Sequence, residues 1–421
     1  MTVTLQPAAL RGRVAAIPSK SDAHRVLICA ALADRPLTFP LPARSADIDA
    51  TIACLRALGA DITVRDDTAA VTPIRTPAAS PVLDCGECGT TLRFLLPVAA
   101  ALGCDATFHG HGRLPQRPIG ELLDVLARHG VSADAPALPL TLHGRLTPGE
   151  FALPGNVSSQ YVSGLLLALP RLGGGACIRL TTPPESTGYI DMTRRTMARF
   201  GVTVADEADG FSFDGAAAYH APASAAIDGD WSNAAFWLAA GALGGPITVT
   251  GLSADSAQGD RAILPLLRRF GAQVQRQGDA VTVSSAPLRG IDIDMRDIPD
   301  LLPPLAVIAA GAAGTTRLYN AARVRLKECD RLRGMAALLT ALGGRVEERE
   351  DELLIRGGTP LAGGTADGCN DHRIVMAAAL AATLAAAPVA VSDGEAVAKS
   401  YPAFFTDYQQ LGGIAHGVPV W

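Results

Sequence analysis

The chain has 421 residues, more than one hydrophobic core usually supports, so two domains are expected. Hydrophobic residues make up 48% and aromatics only 5%, so burial must rest on Ala, Leu and Val in closely packed helices. A net charge of -5, without any block of like charge, excludes a general nucleic-acid-binding surface.

Taken in chain order, residues 1 to 10 (MTVTLQPAAL) lack both a charged leader and a long apolar run, so a cytoplasmic location is expected. A pattern of apolar-x-x-apolar-Gly then recurs six times. It ends at Gly59, Gly130, Gly201, Gly271, Gly343 and Gly412, spaced 71, 71, 70, 72 and 69 residues apart. Each preceding segment carries apolar residues at helical spacing, and the glycine suits a left-handed C-cap. Sequences such as ADITV and GRVEE after the glycine read as the start of a strand. In the second unit, LARHG, the apolar slot is taken by His129.

A second helix recurs, beginning near Ser21, Gly89, Val157, Trp231, Pro299 and Asn370. It is apolar nearly all round, which means burial. The last example runs into Ile374 to Val391, long enough to suggest a membrane span; Ala-richness, Pro388 and the preceding NDHR argue against one. The eight cysteines are scattered. Cys85 and Cys88 form a lone CxxC, without a second pair or nearby His, and read as free thiols rather than metal ligands.

The repeat of about 70 residues, with one buried and one amphipathic helix and several short strands, predicts an α/β fold of two similar domains, each with three units. Residues 19–228 form the first predicted domain. Residues 1–18 join 229–421 in the second, because the sixth unit runs out of chain after Gly412 and needs MTVTL and GRVAAI as its closing strands. The active site is expected in the cleft between the domains, with the two crossings near residues 19 and 229 as a paired hinge.

Polar and charged strings precede the buried helices: SKSDAHR, GECGTTLR, GNVSSQ, GDWSN, DIPD and CNDHR. Helix N-termini carry free N–H groups and a positive dipole end, so these are ready anion sites. Thr90, Ser232 and Asn233 serve equally well as caps or as ligand contacts. Lys20, Arg25, Arg93 and Arg373 oppose the helix dipole and call for an anionic partner. The amphipathic helices start in the same way, at RPIGELL, KECDRL and AKSYP. In RLKECDRL, Lys327, Glu328 and Arg331 are predicted on adjacent faces of one helix.

The motifs SKS with Arg25, RPIG, VSSQ, YID, IPD, KECDR, NDHR and AKSYP, in that order over residues 19 to 402, resemble those of the 5-enolpyruvylshikimate-3-phosphate synthase (3-phosphoshikimate 1-carboxyvinyltransferase) family. The resemblance implies an inverted α/β barrel in each domain. It also implies a cytoplasmic, monomeric transferase of the shikimate pathway to chorismate and aromatic amino acids. Such an enzyme moves the enolpyruvyl group of phosphoenolpyruvate to the 5-hydroxyl of shikimate 3-phosphate through a tetrahedral adduct and releases phosphate. No metal, organic cofactor, nucleic acid or membrane is implied.

By the same resemblance, Lys20, Gly89, Arg117, Gln160, Arg331, Arg373 and Lys399 surround phosphoenolpyruvate. Lys20, Ser21, Arg25, Ser158, Ser159, Gln160, Ser186, Asp300 and Lys327 hold shikimate 3-phosphate. Asp300 and Glu328 form the acid–base pair, Asp300 toward the hydroxyl and Glu328 as proton donor, with Lys20 sharing the proton work. Where the family pattern reads GNAGT, this chain has Gly86-Glu87-Cys88-Gly89-Thr90, with Phe94 in place of a proline and Arg323 in place of an asparagine. These departures bear on sensitivity to the phosphoenolpyruvate mimic glyphosate. Glu87 is expected to face away from the anion site or to pair with Arg93 or another base.

Three other readings fit less well. The sister transferase acting on UDP-N-acetylglucosamine usually carries a cysteine before its RP motif, and residues 105–116 (DATFHGHGRLPQ) have none. An RNA 3'-phosphate cyclase conflicts with the acidic charge and scarce aromatics. An inactive binding protein would lack an acid–base group, whereas Lys20, Asp300 and Glu328 are all present.

Overall fold

The structure, a computed structural model, describes residues 1–213 and 217–420. The chain divides into two compact units, Pro18–Ile227 and Met1–Ile17 with Asp228–Trp421. The first unit contains helices α1 (Lys20–Leu32), α2 (Ala46–Ala57), α3 (Gly89–Leu102), α4 (Gly120–Arg128), α5 (Ser159–Ala168) and α6 (Thr187–Arg199). The second contains α7 (Trp231–Leu243), α8 (Ile263–Phe270), α9 (Leu302–Gly311), α10 (Arg331–Ala341), α11 (His372–Ala382) and α12 (Phe404–Gln410).

Odd-numbered helices form the interior of each unit. All residues of α11 and all but the last of α7 are buried, as their all-round apolarity requires. Small residues set the approach distances. A Cβ on Gly164 of α5 would lie 3.1 Å from the Pro97 ring of α3 and would collide with the Arg93 carbonyl, so only glycine allows that crossing. Even-numbered helices are one-sided: α8 buries Ile263, Leu264, Leu266, Leu267 and Phe270 and turns Arg268 and Arg269 outward.

Among the described residues each unit has three small sheets. In one of them Val82–Asp84 runs parallel to Thr107–His109, Leu140–Gly144 is antiparallel to Thr107–His109, and Val131–Ala133 closes the far edge. The same order recurs at Glu150–Leu153, Cys177–Leu180, Gly210–Phe213 and Val204–Glu207. It recurs again at Asp292–Asp294, Gly314–Tyr319, Leu353–Gly357 and Arg345–Glu348.

The chain's start completes two sheets rather than one. Val3–Gln6 lies between Val389–Val391 and Ile414–His416, as the shortage of chain after Gly412 predicts. Gly12–Ala15, expected beside it, instead pairs parallel with Ile247–Thr250 in the fourth repeat's sheet. Pro7 cannot donate to a ladder and ends the first strand. The chain then turns, with Arg11 N–H on the Leu411 carbonyl and Gly12 N–H on Pro246.

All six repeat glycines have positive φ, from 81° to 114°. Gly59 N–H bonds the Arg56 carbonyl and Ala60 N–H the Leu55 carbonyl, closing the last turn of α2. The same pair of bonds ends α6, α8, α10 and α12. His129, in the apolar slot of the second repeat, stacks on Phe151 with centroids 3.7 Å apart and bonds the Glu150 carbonyl through Nε2. It is a core residue with its polar edge satisfied.

Candidate active site

The caps of the buried helices decide which polar residues remain for chemistry. Side chains of Ser19, Cys88, Ser158, Asp230 and Asp371 accept the first-turn N–H groups of α1, α3, α5, α7 and α11. Thr90, Ser232 and Asn233, read from the sequence as possible caps, therefore lie one or two residues inside the helix. Thr90 Oγ1 accepts from Gln160 Nε2 at 2.9 Å, and Ser232 Oγ donates to Asp260.

In the first unit, cationic groups gather around the start of α3. Arg93 NH1 donates to Gln160 Oε1 at 2.7 Å and NH2 to the Pro118 carbonyl at 3.0 Å. A Cβ on Gly89 would lie 2.7 Å from Arg117 NH1 and 2.9 Å from Arg93 NH1. Glycine here is the condition for two guanidinium groups to approach the backbone at the helix's positive end. Lys20 Nζ, from the first residue of α1, pairs with Asp47 Oδ2 of α2 at 2.7 Å.

Arg25 is 2% exposed and lies over the Phe94 ring. Its Nε donates to Thr193 Oγ1, NH1 to the Ser21 carbonyl and NH2 to the Tyr189 carbonyl, at 2.6 to 2.9 Å. Burial pushes its pKa down to about 10, against the favourable field of Asp22. Three of a guanidinium's five N–H donors are thereby used, two of them in fixing α1 to α6 and one within α1. Ser186 precedes α6 in a left-handed conformation, φ 54°, and is buried. Glu87 directs its carboxylate over Gly112, beside His111.

The second unit holds a denser arrangement built on Arg331. This side chain is 1% exposed; NH1 donates to Asp300 Oδ1 at 2.8 Å, NH2 to Glu328 Oε2 at 2.7 Å and Nε to Asp371 Oδ2 at 2.8 Å. Burial opposes its charge, but Asp371, Glu328 and Asp300 outweigh it, and the pKa lies well above the ordinary arginine value. Asp300 also faces Lys327 Nζ at 3.5 Å and Arg373 Nε at 3.8 Å. Burial pushes the Lys327 pKa down, while Asp300 pulls against it. Lys399 Nζ donates to the Asn370 carbonyl at 2.6 Å.

The expectation of one helix carrying Lys327, Glu328 and Arg331 is corrected here. The Asp330 side chain accepts from Arg333 N–H, so α10 begins at Arg331 and Lys327 lies before it in extended conformation. Arg325 anchors this approach through Asp330 and Glu348 at 2.8 and 2.7 Å.

Sequence reasoning missed three carboxylates. Asp47 and Asp371 face their cationic partners across 27 and 40 residues of chain. Asp260, buried beside Ser232, has a pKa raised to about 7, first by burial and then by Asp300, with Arg373 opposing. Each carried only the signal of an acidic residue next to an apolar helix.

Residues 5–408 match the family model for EPSP synthase (3-phosphoshikimate 1-carboxyvinyltransferase). The chain belongs to the EPSP synthase family. A protein named 3-phosphoshikimate 1-carboxyvinyltransferase from Clostridium kluyveri is 39% identical, with 98% of this chain and 97% of that protein covered. Its namesake from Clostridium acetobutylicum is also 39% identical, with 98% of each covered. Two solved structures share the fold. EPSP synthase from Acinetobacter baumannii aligns with a TM-score of 0.82 at 24% identity over 99% of both chains. The enolpyruvyl transferase NikO from Streptomyces tendae aligns at 0.78 and 21% identity, over 99% of this chain and 98% of that one. The two-domain α/β architecture is thus that of the enolpyruvyl transferases. Among the described residues no helix is long and apolar enough to cross a membrane.

Proposed function

We propose that this protein is a 3-phosphoshikimate 1-carboxyvinyltransferase, transferring the enolpyruvyl group of phosphoenolpyruvate to the 5-hydroxyl of shikimate 3-phosphate and releasing phosphate. The observation that carries the reading at the level of residues is the Arg331 cluster. One buried guanidinium holds Asp300 and Glu328 on separate nitrogens, as an acid–base pair around a shared cation requires.

The reaction needs a proton removed from the hydroxyl, a proton added to the methylene carbon, and several anionic groups held against mutual repulsion. Asp300 takes the 5-hydroxyl proton as that oxygen bonds C2 of phosphoenolpyruvate. Glu328 delivers a proton to the methylene carbon, with Lys20 sharing the proton work. Phosphate then leaves the tetrahedral adduct with the proton held by Asp300 while one methyl proton returns to Glu328, which restores the double bond and both carboxyl groups. Arg117, Arg331, Arg373, Lys399, Lys20, Gln160 and the Gly89 backbone are assigned to phosphoenolpyruvate. Ser21, Arg25, Ser158, Ser159, Gln160, Ser186, Lys327, Lys20 and Asp300 are assigned to shikimate 3-phosphate. For Arg25, two N–H donors remain beyond its three internal bonds, enough to meet a carboxylate.

The protein is proposed to work in the cytoplasm as a monomer, which sedimentation at working concentration checks. The decisive assay is phosphate release from purified protein: release that requires both phosphoenolpyruvate and shikimate 3-phosphate is expected. Release dependent on UDP-N-acetylglucosamine instead would overturn the reading.

A further inference from the structure

We propose that His24, Asp47 and Cys88 in the first unit bind a soft divalent cation, of which Zn2+ is the type, and that the bound ion takes Asp47 away from Lys20. The three side chains come from α1, the first turn of α2 and the cap of α3, and all are buried. One ligand atom from each lies within 4.8 Å of the others, and Cys88 Sγ is 3.8 Å from His24 Nε2. A tetrahedral ion with Zn–S of about 2.3 Å and Zn–N of about 2.0–2.1 Å separates sulfur from nitrogen by about 3.6 Å. The His24–Cys88 pair is already at that spacing.

The imidazole is also oriented for the task. Nδ1 meets Thr51 Oγ1 at 2.7 Å, and Thr51 Oγ1 meets Thr91 Oγ1 at 2.6 Å. With its proton on Nδ1, donated to Thr51, the ring presents the Nε2 lone pair toward Cys88. This is the outer-shell arrangement that fixes metal-binding histidines. Burial first, then Lys20 and Arg25, hold the His24 pKa well below its ordinary value, so the ring is neutral. Burial first, then Asp47, pushes the Cys88 thiol up to about 12. Binding must therefore break the Sγ–H bond, form the sulfur–metal bond and release the proton to the buffer.

Asp47 has a positive partner in Lys20 Nζ at 2.7 Å, and a divalent ion on the same carboxylate both competes with and repels that ammonium. Three protein ligands leave a fourth position for water. The lone CxxC is thus a poor guide to Cys88, whose partner is a histidine 64 residues away rather than Cys85. The inhibitory consequence rests on the role proposed for Lys20; the binding itself does not.

The test uses full-length protein stripped with a chelator and titrated with Co2+. A near-ultraviolet thiolate-to-cobalt charge-transfer band saturating at one equivalent, and displaced by Zn2+, is expected. Cys88→Ser keeps an acceptor at the α3 cap and should abolish the band. His24→Asn should weaken binding roughly tenfold or more, and Cys329→Ser should leave it unchanged. A band missing from the wild type, or intact in both Cys88→Ser and His24→Asn, overturns the site. Saturating Zn2+ should suppress phosphate release by the wild type and not by Cys88→Ser; a cobalt band without inhibition overturns the competition with Lys20. Metal-free protein that never releases phosphate refutes the transferase reading and leaves the spectroscopic result standing.

Discussion

The two units repeat one architecture and handle charge differently. In the first, the described bonds of Arg25 and Arg93 run to backbone carbonyls, a threonine hydroxyl and a glutamine amide. Such partners position a guanidinium without cancelling its charge. In the second, Arg331 is bonded to three carboxylates. A cation wrapped in carboxylates attracts a further anion less than one held by neutral acceptors, but it keeps acidic groups ordered in a buried place. The first arrangement suits holding phosphate and carboxylate groups; the second keeps the proposed acid–base pair ordered beside cations assigned to phosphoenolpyruvate. One repeat thus carries two arrangements of charge, and the two differ at the helix starts.

The largest effect should come from removing the guanidinium of the second unit. Arg331→Ala leaves Asp300, Glu328 and the fully buried Asp371 without their shared cation. A loss of about 3–5 kcal/mol is expected, as for a broken buried ion pair, together with turnover. Urea unfolding and phosphate release measure the two. A variant as stable as wild type would show the cluster to be dispensable to the fold. Next, Glu328→Gln and Asp300→Ala should lower kcat roughly 10²–10⁴-fold with little change in KM. A raised KM at normal kcat would remove both residues from proton transfer and leave Asp300 with binding alone.

The division between units was partly legible in the sequence. The six C-cap glycines and the polar helix starts are local signals, set by φ and by the free N–H groups of a first turn, and both are found where expected. Pairings were not legible. Lys20 with Asp47 and Arg331 with Asp371 depend on which helices lie side by side, and an aspartate in a helix's first turn looks the same whether it caps, pairs or faces solvent. The start of α10 lies later than the charge pattern suggests: Asp330 carries an ordinary cap signal, but the charges on either side of it read as one continuous helix. Gly12–Ala15 went to the fourth sheet instead of the sixth, since strand alternation says nothing about which neighbour a strand will choose.

A smaller effect would sharpen the picture of the first unit. Gly89→Ala puts a methyl group 2.7 Å from Arg117 NH1 and 2.9 Å from Arg93 NH1. Both guanidinium groups are ends of flexible side chains, so they should move rather than unfold the helix. Losing one charge-assisted bond to the substrate, worth about 1.5–3 kcal/mol, should raise KM for phosphoenolpyruvate roughly tenfold or more. An unchanged KM would separate Gly89 from the anion site.

The smallest expected effect concerns stability against pH in the second unit. Asp260 holds its proton up to about pH 7 in the folded protein, because it is buried and faces Asp300. In the unfolded chain the same carboxyl ionises near pH ~4. Between those values the folded state binds more protons, so this group's stabilising contribution is complete below about pH 4 and is lost as pH rises to about 7. Asp260→Asn removes the titration while keeping an oxygen for the Ser232 hydroxyl. Its urea midpoint should therefore gain on the wild type as pH rises from 4 to 7 and run parallel above that. A constant offset across the range would mean that Asp260 is ionised throughout, and that the second unit tolerates a further buried charge beside Asp300 without penalty.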